Sequence, residues 1–398
     1  MIPNLDSQIG ITVYSTNFSG IGGKIRVKPE DFHVSEIISD KVNKSITDQE
    51  GYAVYKLKKK KIDTNHALSG IFRKKGIRLK SLGLKDASAI TEQFVCSGNK
   101  GRAIEDFSTD KYSLEKIGYV KKPLSKKDMI ANHFKIKISD CSNDLSSFTE
   151  HDKVLNFYGY QRFGSKRPVT HLIGKAILQR DFKKAVDLIL SFTSSYDSKE
   201  NTEIREKLSD KANFEKYFDQ VPNQMDIEKI VLKEMIEHDD YFAAIRAIPL
   251  SLRRFYIQTY QSFIFNQSLS LAFLDGENLF EAQSSDVCFD FNGIIGKYVK
   301  GLDQRLALPF VGYSYYKKTR FDHQISKILS QEEITPKDFF LKEMQEVSSE
   351  GGFRQAALHC FDYSSQENTV EFSLSRGMFA TILLREIMKP EDPMTAGF

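Results

Sequence analysis

The period of the hydrophobic pattern changes twice along this chain, and that change limits the folds open to it. Apolar residues alternate with polar ones from Lys24 to Ile37, where Ile25 and Val27 precede a Pro-Glu-Asp turn and Phe32 and Val34 follow it. Tyr52 to Leu57, the stretch through Phe94 and Val95, and Phe134 to Ile138 read the same way, as half-buried strands. Between them, Asp63 or Thr64 is placed to cap a helix whose face carries Leu68, Ile71 and Phe72 and which Gly76 would end. From about Pro168 the spacing becomes helical. Leu172, Ile173, Ala176 and Ile177 share one face, and Phe182, Ala185, Val186 and Ile189 share another. Helical spacing continues through an acidic stretch to about Ala244 and again from Arg253 to Leu271. Val370, Phe372 and Leu374 then alternate once more, and Phe379 to Met388 reads as a short apolar helix stopped by Pro390 and Pro393. Strands, then helices, then strands predict an α+β protein, with a mostly helical unit inserted into a sheet-based domain whose first and last strands share one sheet.

Composition narrows the function classes. Hydrophobic residues are 40% and charged residues 28% of 398 positions, which excludes a fibrous repeat or wholesale disorder. No run approaches the roughly 18 uncharged apolar residues of a membrane helix. The opening MIPNLDSQIG lacks the basic and apolar regions of a secretory signal. Cys96, Cys141, Cys288 and Cys360 lie far apart with no CxxC pair, which argues against a zinc site or disulfide framework and suits a reducing, cytoplasmic setting. A Gly-Lys followed by Ser or Thr, an HExxH helix and a Gly-x-Ser-x-Gly elbow are all missing. Gly20-Ile21-Gly22-Gly23-Lys24 precedes a strand instead of joining a strand to a helix. No metal or organic cofactor is implied.

The net charge of +4 hides two opposed regions. Gly51 to Ile90 holds nine Lys and two Arg against Asp63 and Asp86, a local net of +9, densest at Lys56-Leu57-Lys58-Lys59-Lys60-Lys61. Ser191 to Asp240 carries a local net of −6. The first region can hold phosphates, or its lysine run can be a solvated strand end.

Two segments combine residues that can do chemistry, and a third has a similar make-up. Gly83-Leu84-Lys85-Asp86 sets a carboxylate beside an ammonium. An ionised Asp86 can serve as nucleophile or base, or it can simply cap Ala87 to Ala89. Asn156-Phe157-Tyr158-Gly159-Tyr160-Gln161-Arg162-Phe163-Gly164 offers rings to stack a base and amide and Arg groups to hold its edge or a phosphate, or a packed aromatic segment ahead of the next helix. Gln261-Ser262-Phe263-Ile264-Phe265-Asn266 reads as structural, with Gln261 or Asn266 free to cap or bridge.

Taken together, these stretches resemble the tRNA pseudouridine synthase D family. The likeness rests on Lys28-Pro29-Glu30-Asp31-Phe32 with Val34 and Glu36, and on Gly83-x-Lys85-Asp86-x-x-Ala89-x-Thr91-x-Gln93. It rests further on Asn156-Phe157-Tyr158-Gly159-x-Gln161-Arg162-Phe163-Gly164 and on Gly377-Met378-Phe379-Ala380-Thr381 with Arg385-Glu386. Asn132-x-Phe134 is a weaker fifth stretch, and all five occur in the family's order across nearly the whole chain.

The resemblance implies a pseudouridine-synthase-type fold: a mixed, mainly antiparallel sheet domain over residues 1–178 and 353–398, with an inserted, mostly helical domain over 179–352. It implies an isomerase that converts a uridine of tRNA, at position 13 of the D-arm, to pseudouridine without a cofactor; the alternative is a non-catalytic RNA-binding protein on the same scaffold. Nothing in the sequence demands a dimer, so a cytoplasmic monomer is expected. It makes Asp86 the catalytic residue and assigns Phe32, Asn156 and Phe379 to the flipped uridine. It has Lys85 keep Asp86 charged and touch a phosphate, and Arg162 orient Asp86 or the RNA backbone. The family ordinarily carries Phe where this chain has Tyr158, whose ring would stack near the target base.

Overall fold

The alternating stretches at the two ends of the chain meet in a single nine-stranded sheet. The structure is a computed structural model and describes residues 1–85, 87–291, 293–316 and 319–398. Across the sheet the strands run Cys360–Gln366, Thr369–Ser375, Met129–Lys137, Phe32–Ile38, Ile90–Ser97, Tyr52–Lys59, Tyr112–Val120 and Phe107–Ser108, with Leu79–Ser81 pairing beside Ile90–Ser97. Neighbours are antiparallel except at the centre, where Phe32–Ile38 and Ile90–Ser97 are parallel. A parallel pair needs a crossover. Here it is made by strand Tyr52–Lys59 and helix Thr64–Lys75. Asp63 starts that helix by accepting the His66 N–H at 3.0 Å. Gly76 ends it in the left-handed conformation, and the helix buries Ala67 and Ile71.

The middle of the chain is built on helix Leu250–Leu274, which packs along helix Thr170–Leu178. A single apolar cluster runs from Leu5 through Phe134, Phe157, Ile264 and Phe372 to Ile387, so sheet and helical region share one core. A smaller cluster, including Tyr55, Ile71 and Leu114, lies under helix Thr64–Lys75.

Two expectations differ from the fold. Ile25 and Val27 do not continue a strand. Strand Gly22–Lys24 ends first, Arg26 takes a positive φ of 58°, and Val27 is exposed. The expected helical middle also contains a small antiparallel sheet of strands Ile295–Lys297, Val287–Phe289, Arg305–Phe310 and Gly352–Gln355, in that spatial order. Its strands are too short, or too evenly apolar, to show an alternating pattern. The last of them pairs across residue 353, Phe353 lying opposite Pro309. Among the described residues, no helix is long and apolar enough to cross a membrane.

Candidate active site

The segment leading to position 86 is fastened by two side chains, Thr64 and Gln93. Thr64, the first residue of its helix, accepts the Lys85 N–H on its hydroxyl at 2.9 Å and donates its own N–H to the Lys85 carbonyl at 3.3 Å. Gln93 donates to the Gly83 carbonyl at 2.8 Å and accepts the Thr64 hydroxyl at 2.9 Å. The Gln that ends the Gly83 motif therefore closes the loop that the motif begins. Asp86 itself lies outside the described residues. Leu84 and Lys85 before it, and Ser88 and Ala89 after it, line a cavity of about 220 Å³.

Lys85 donates from Nζ to Glu36 Oε1 at 2.9 Å, its side chain 13% exposed and that of Glu36 fully buried. The other Glu36 oxygen accepts the Phe94 N–H at 2.9 Å. Buried charges persist when paired and hydrogen-bonded, and both conditions hold here. Gly83 leaves room for the pair. A Cβ at that position would lie 3.0 Å from Lys85 Nζ and 3.1 Å from Glu36 Oε1.

Opposite the loop the wall is aromatic. Phe32, almost wholly buried, opens the central strand and packs edge-on to Phe134 at 6.3 Å. The Arg26 guanidinium lies 4.4 Å from the Phe32 ring centre, and its Nη1 donates to the Gly397 carbonyl at 2.9 Å. Phe379 precedes helix Ala380–Met388 and lines the cavity with Thr381. The Asn156 to Gly164 segment comes close beside them because residue 159 is glycine. A Cβ there would lie 3.0 Å from Thr381 Oγ1. Gln161 and Asn132 add amide groups to the lining.

Of the residues singled out from sequence, Phe32, Lys85 and Phe379 line this cavity. Asn156, Tyr158 and Arg162 are not among its lining residues. Asn156 and Tyr158 are organised by Arg354, which no sequence motif marks. Arg354 Nη2 donates to Asn156 Oδ1 at 2.7 Å and to the Gly377 carbonyl at 3.1 Å. Its guanidinium lies 4.0 Å from the Tyr158 ring centre and 5.8 Å from that of Phe379. The Asn156 amide nitrogen donates to the Gln355 carbonyl at 2.9 Å, so both ends of that side chain are engaged. Tyr158 is 6.0 Å from Phe379, ring to ring, and its backbone is gripped by Asn266, which accepts its N–H at 2.8 Å and donates to its carbonyl at 3.1 Å. Arg162 donates to the Ser262 hydroxyl at 3.2 Å and lies over Phe255 at 4.8 Å.

Burial pulls the guanidinium pKa of both Arg162 and Arg354 below its usual value. Both guanidinium groups lie close to the Tyr158 ring, at 5.5 Å for Arg162 and 4.0 Å for Arg354. Arg354 was not legible because it is a single basic residue in a stretch with no motif spacing, and Arg26 because it lies between Lys24 and Lys28, just ahead of the first motif. Gln161 and Asn132 fall within recognisable motifs, but nothing in their spacing gave them a role. Among the described residues no cluster of potential metal ligands occurs.

A ring-walled cleft edged by amides and cations, on a mainly antiparallel sheet, suits an enzyme that handles one planar base. The solved fold agrees. A crystal structure from Methanosarcina mazei, described as a candidate tRNA pseudouridine synthase D, superposes with a TM-score of 0.82 at 27% identity over 99% of both chains. The "Probable tRNA pseudouridine synthase D" of Methanosarcina acetivorans is 30% identical over 99% of this chain and 98% of its own length. That of Pyrobaculum islandicum is 28% identical over 100% and 99%. The family model for tRNA pseudouridine synthase D (TruD) matches residues 8–387. The chain belongs to the tRNA pseudouridine synthase D family and is an isomerase acting on RNA.

Proposed function

We propose that this chain isomerises the uridine at position 13 of the tRNA D-arm to pseudouridine, and that Asp86 is the residue on which the reaction depends. The bond from N1 to C1′ breaks, the uracil turns, and C5 joins C1′. C5 gives up a proton and N1 takes one, so the reaction balances without a co-reactant. Asp86 acts as a nucleophile toward sugar or base, or as the base that abstracts a proton. The observation that carries this reading is the cavity itself, since residues on both sides of position 86 form one wall and Phe32 and Phe379 form the other.

In this reading Phe32 and Phe379 hold the extruded base and keep water from it. Tyr158 backs Phe379, while Asn156 reaches the substrate through Arg354, which it holds by its side-chain oxygen. Lys85 supports the charge of Asp86 and touches a phosphate, and Arg162 orients Asp86 or the RNA backbone. Residues 1–178 and 353–398 form the catalytic unit, and 179–352 contribute to recognising tRNA shape. The protein acts as a cytoplasmic monomer with tRNA as partner.

The test is incubation with unmodified tRNA transcripts followed by mapping of pseudouridine, with Asp86→Asn alongside. The mutant is expected to lose at least about 1,000-fold in rate, at the upper end of acid–base and nucleophilic contributions, with tRNA affinity and thermal midpoint near wild type. Turnover by the mutant at a tenth of the wild-type rate would remove Asp86 from the chemistry. Modification at another position would move the target.

A further inference from the structure

A second cavity, of about 160 Å³, is lined by Phe310, Ser314, Tyr315, Tyr316, Glu350 and Phe353. Rings connect it to the first. Phe379 walls the first cavity, its ring lies 6.0 Å from that of Tyr158, and the Tyr158 ring lies 5.9 Å from that of Phe310. The link is built into the small sheet. Phe310 pairs with Gly352, and alternate strand residues share a face, so Phe310 and Arg354 point to the same side and converge on Tyr158.

The chemistry of this cavity differs from that of the first. Tyr316 leaves 76% of its surface exposed, so its ring is open to stacking by a base. Glu350 has no cationic partner among the described residues. Its backbone is fixed by Ser314, whose hydroxyl and N–H donate to the Glu350 carbonyl at 2.7 and 3.2 Å. An ionised carboxylate is an acceptor only and repels phosphate. The group it suits in a nucleic acid is the N–H edge of a base.

We propose that this cavity is a subsite for a nucleotide flanking the isomerised uridine, and that it takes a base with an amino group or ring N–H that donates to Glu350 while stacking on Tyr316. The proposal rests on the reading of the first cavity as a uridine site. It adds a second base contact, which would make the enzyme select its target partly by the neighbouring base.

The experiment places 2-aminopurine, which carries an amino group and loses fluorescence on stacking, at each position flanking the target uridine of a D-arm hairpin. An end-label anisotropy signal reports overall binding independently. Quenching by the wild-type protein is expected at one flanking position only. Tyr316→Ala and Glu350→Gln, both at exposed side chains, are expected to weaken the quench-derived affinity roughly tenfold. Glu350→Gln should also relax the base preference at that position in turnover assays. Quenching at no flanking position, or quenching that neither variant changes, while anisotropy still reports binding, overturns the subsite alone. Absence of binding by anisotropy overturns the RNA reading on which it rests.

Discussion

Lys85 places its charge on Glu36, a residue 49 positions away in sequence and on a different strand. Sequence made the neighbour Asp86 visible and left this pairing hidden, because Glu36 stood in the first motif with nothing in its spacing to give it a partner. Arg354 was hidden for a similar reason. It contacts Asn156, Gly377, Tyr158 and Phe379, four residues drawn from two separate motifs, yet nothing in its own surroundings has motif spacing. Its planar fork bonds Asn156 at both the side-chain oxygen and, at 3.2 Å, the backbone carbonyl. A lysine would keep the charge and lose that geometry. Arg354→Lys is therefore expected to lower kcat by roughly 10- to 100-fold, the cost of small misplacement at a reacting centre, while KM stays within a few-fold and the thermal midpoint moves little. Steady-state kinetics with the tRNA transcript check this. A drop confined to KM would make Arg354 a simple binding residue, and a mutant that unfolds would make it a core residue.

At the scale of elements, the strands and helices that carry the site were readable wherever burial had a clear period. Phe32–Ile38 alternates fully between buried and half-buried positions, and helix Thr64–Lys75 has the expected acidic cap and glycine end. The small sheet was not readable, since Ile295–Lys297 is exposed along its whole length and Arg305–Phe310 is buried through its middle without alternation. The lysine run divides in a way that composition did not show. Lys56 and Lys61 are exposed, Lys58 pairs with Glu92 at 3.0 Å, Lys60 pairs with Glu30, and Lys59 is 1% exposed at the end of its strand. Only part of the run is therefore open to a polyanion. Lys56→Gln combined with Lys61→Gln should weaken tRNA binding and reduce the slope of log affinity against log salt by about one for each phosphate that is no longer neutralised. Binding measured between low and moderate salt decides the matter. An unchanged slope would make both lysines merely solvating. Lys59→Gln should instead lower the thermal midpoint, because it alters a buried position of the sheet.

Across the whole molecule, the two chain ends are tied together through buried charge. Arg385 bonds Asp6 at 2.6 Å and Glu386 at 3.0 Å with all three side chains nearly solvent-free, and Tyr160, from the Asn156 segment, donates its hydroxyl to Asp6 at 2.6 Å. The Arg385-Glu386 pair was recognisable as part of a motif, but its partner near the N-terminus was not, because that contact exists only once the core has closed. The same core contains a latent acid sensitivity. His171, on helix Thr170–Leu178, is stacked 4.8 Å from Phe263 and lies edge-on to Phe163. Burial, with a smaller push from Lys175, lowers its pKa from 6.5 to about 3 against a bond to the Gln8 backbone. The folded protein thus keeps His171 neutral down to about pH 3, whereas the unfolded chain takes up a proton below about 6.5. Between those values unfolding binds one more proton, so stability falls as pH falls, by at most about 1.4 kcal/mol per pH unit from this residue. His171→Phe keeps an aromatic ring in the stack and cannot titrate. Thermal midpoints measured at pH 7, 5 and 4 should decline more steeply for the wild type than for this variant, with the gap between them changing steadily in the variant's favour. Parallel declines would mean that His171 does not change its protonation on unfolding and that carboxylates alone set the acid limit of the fold.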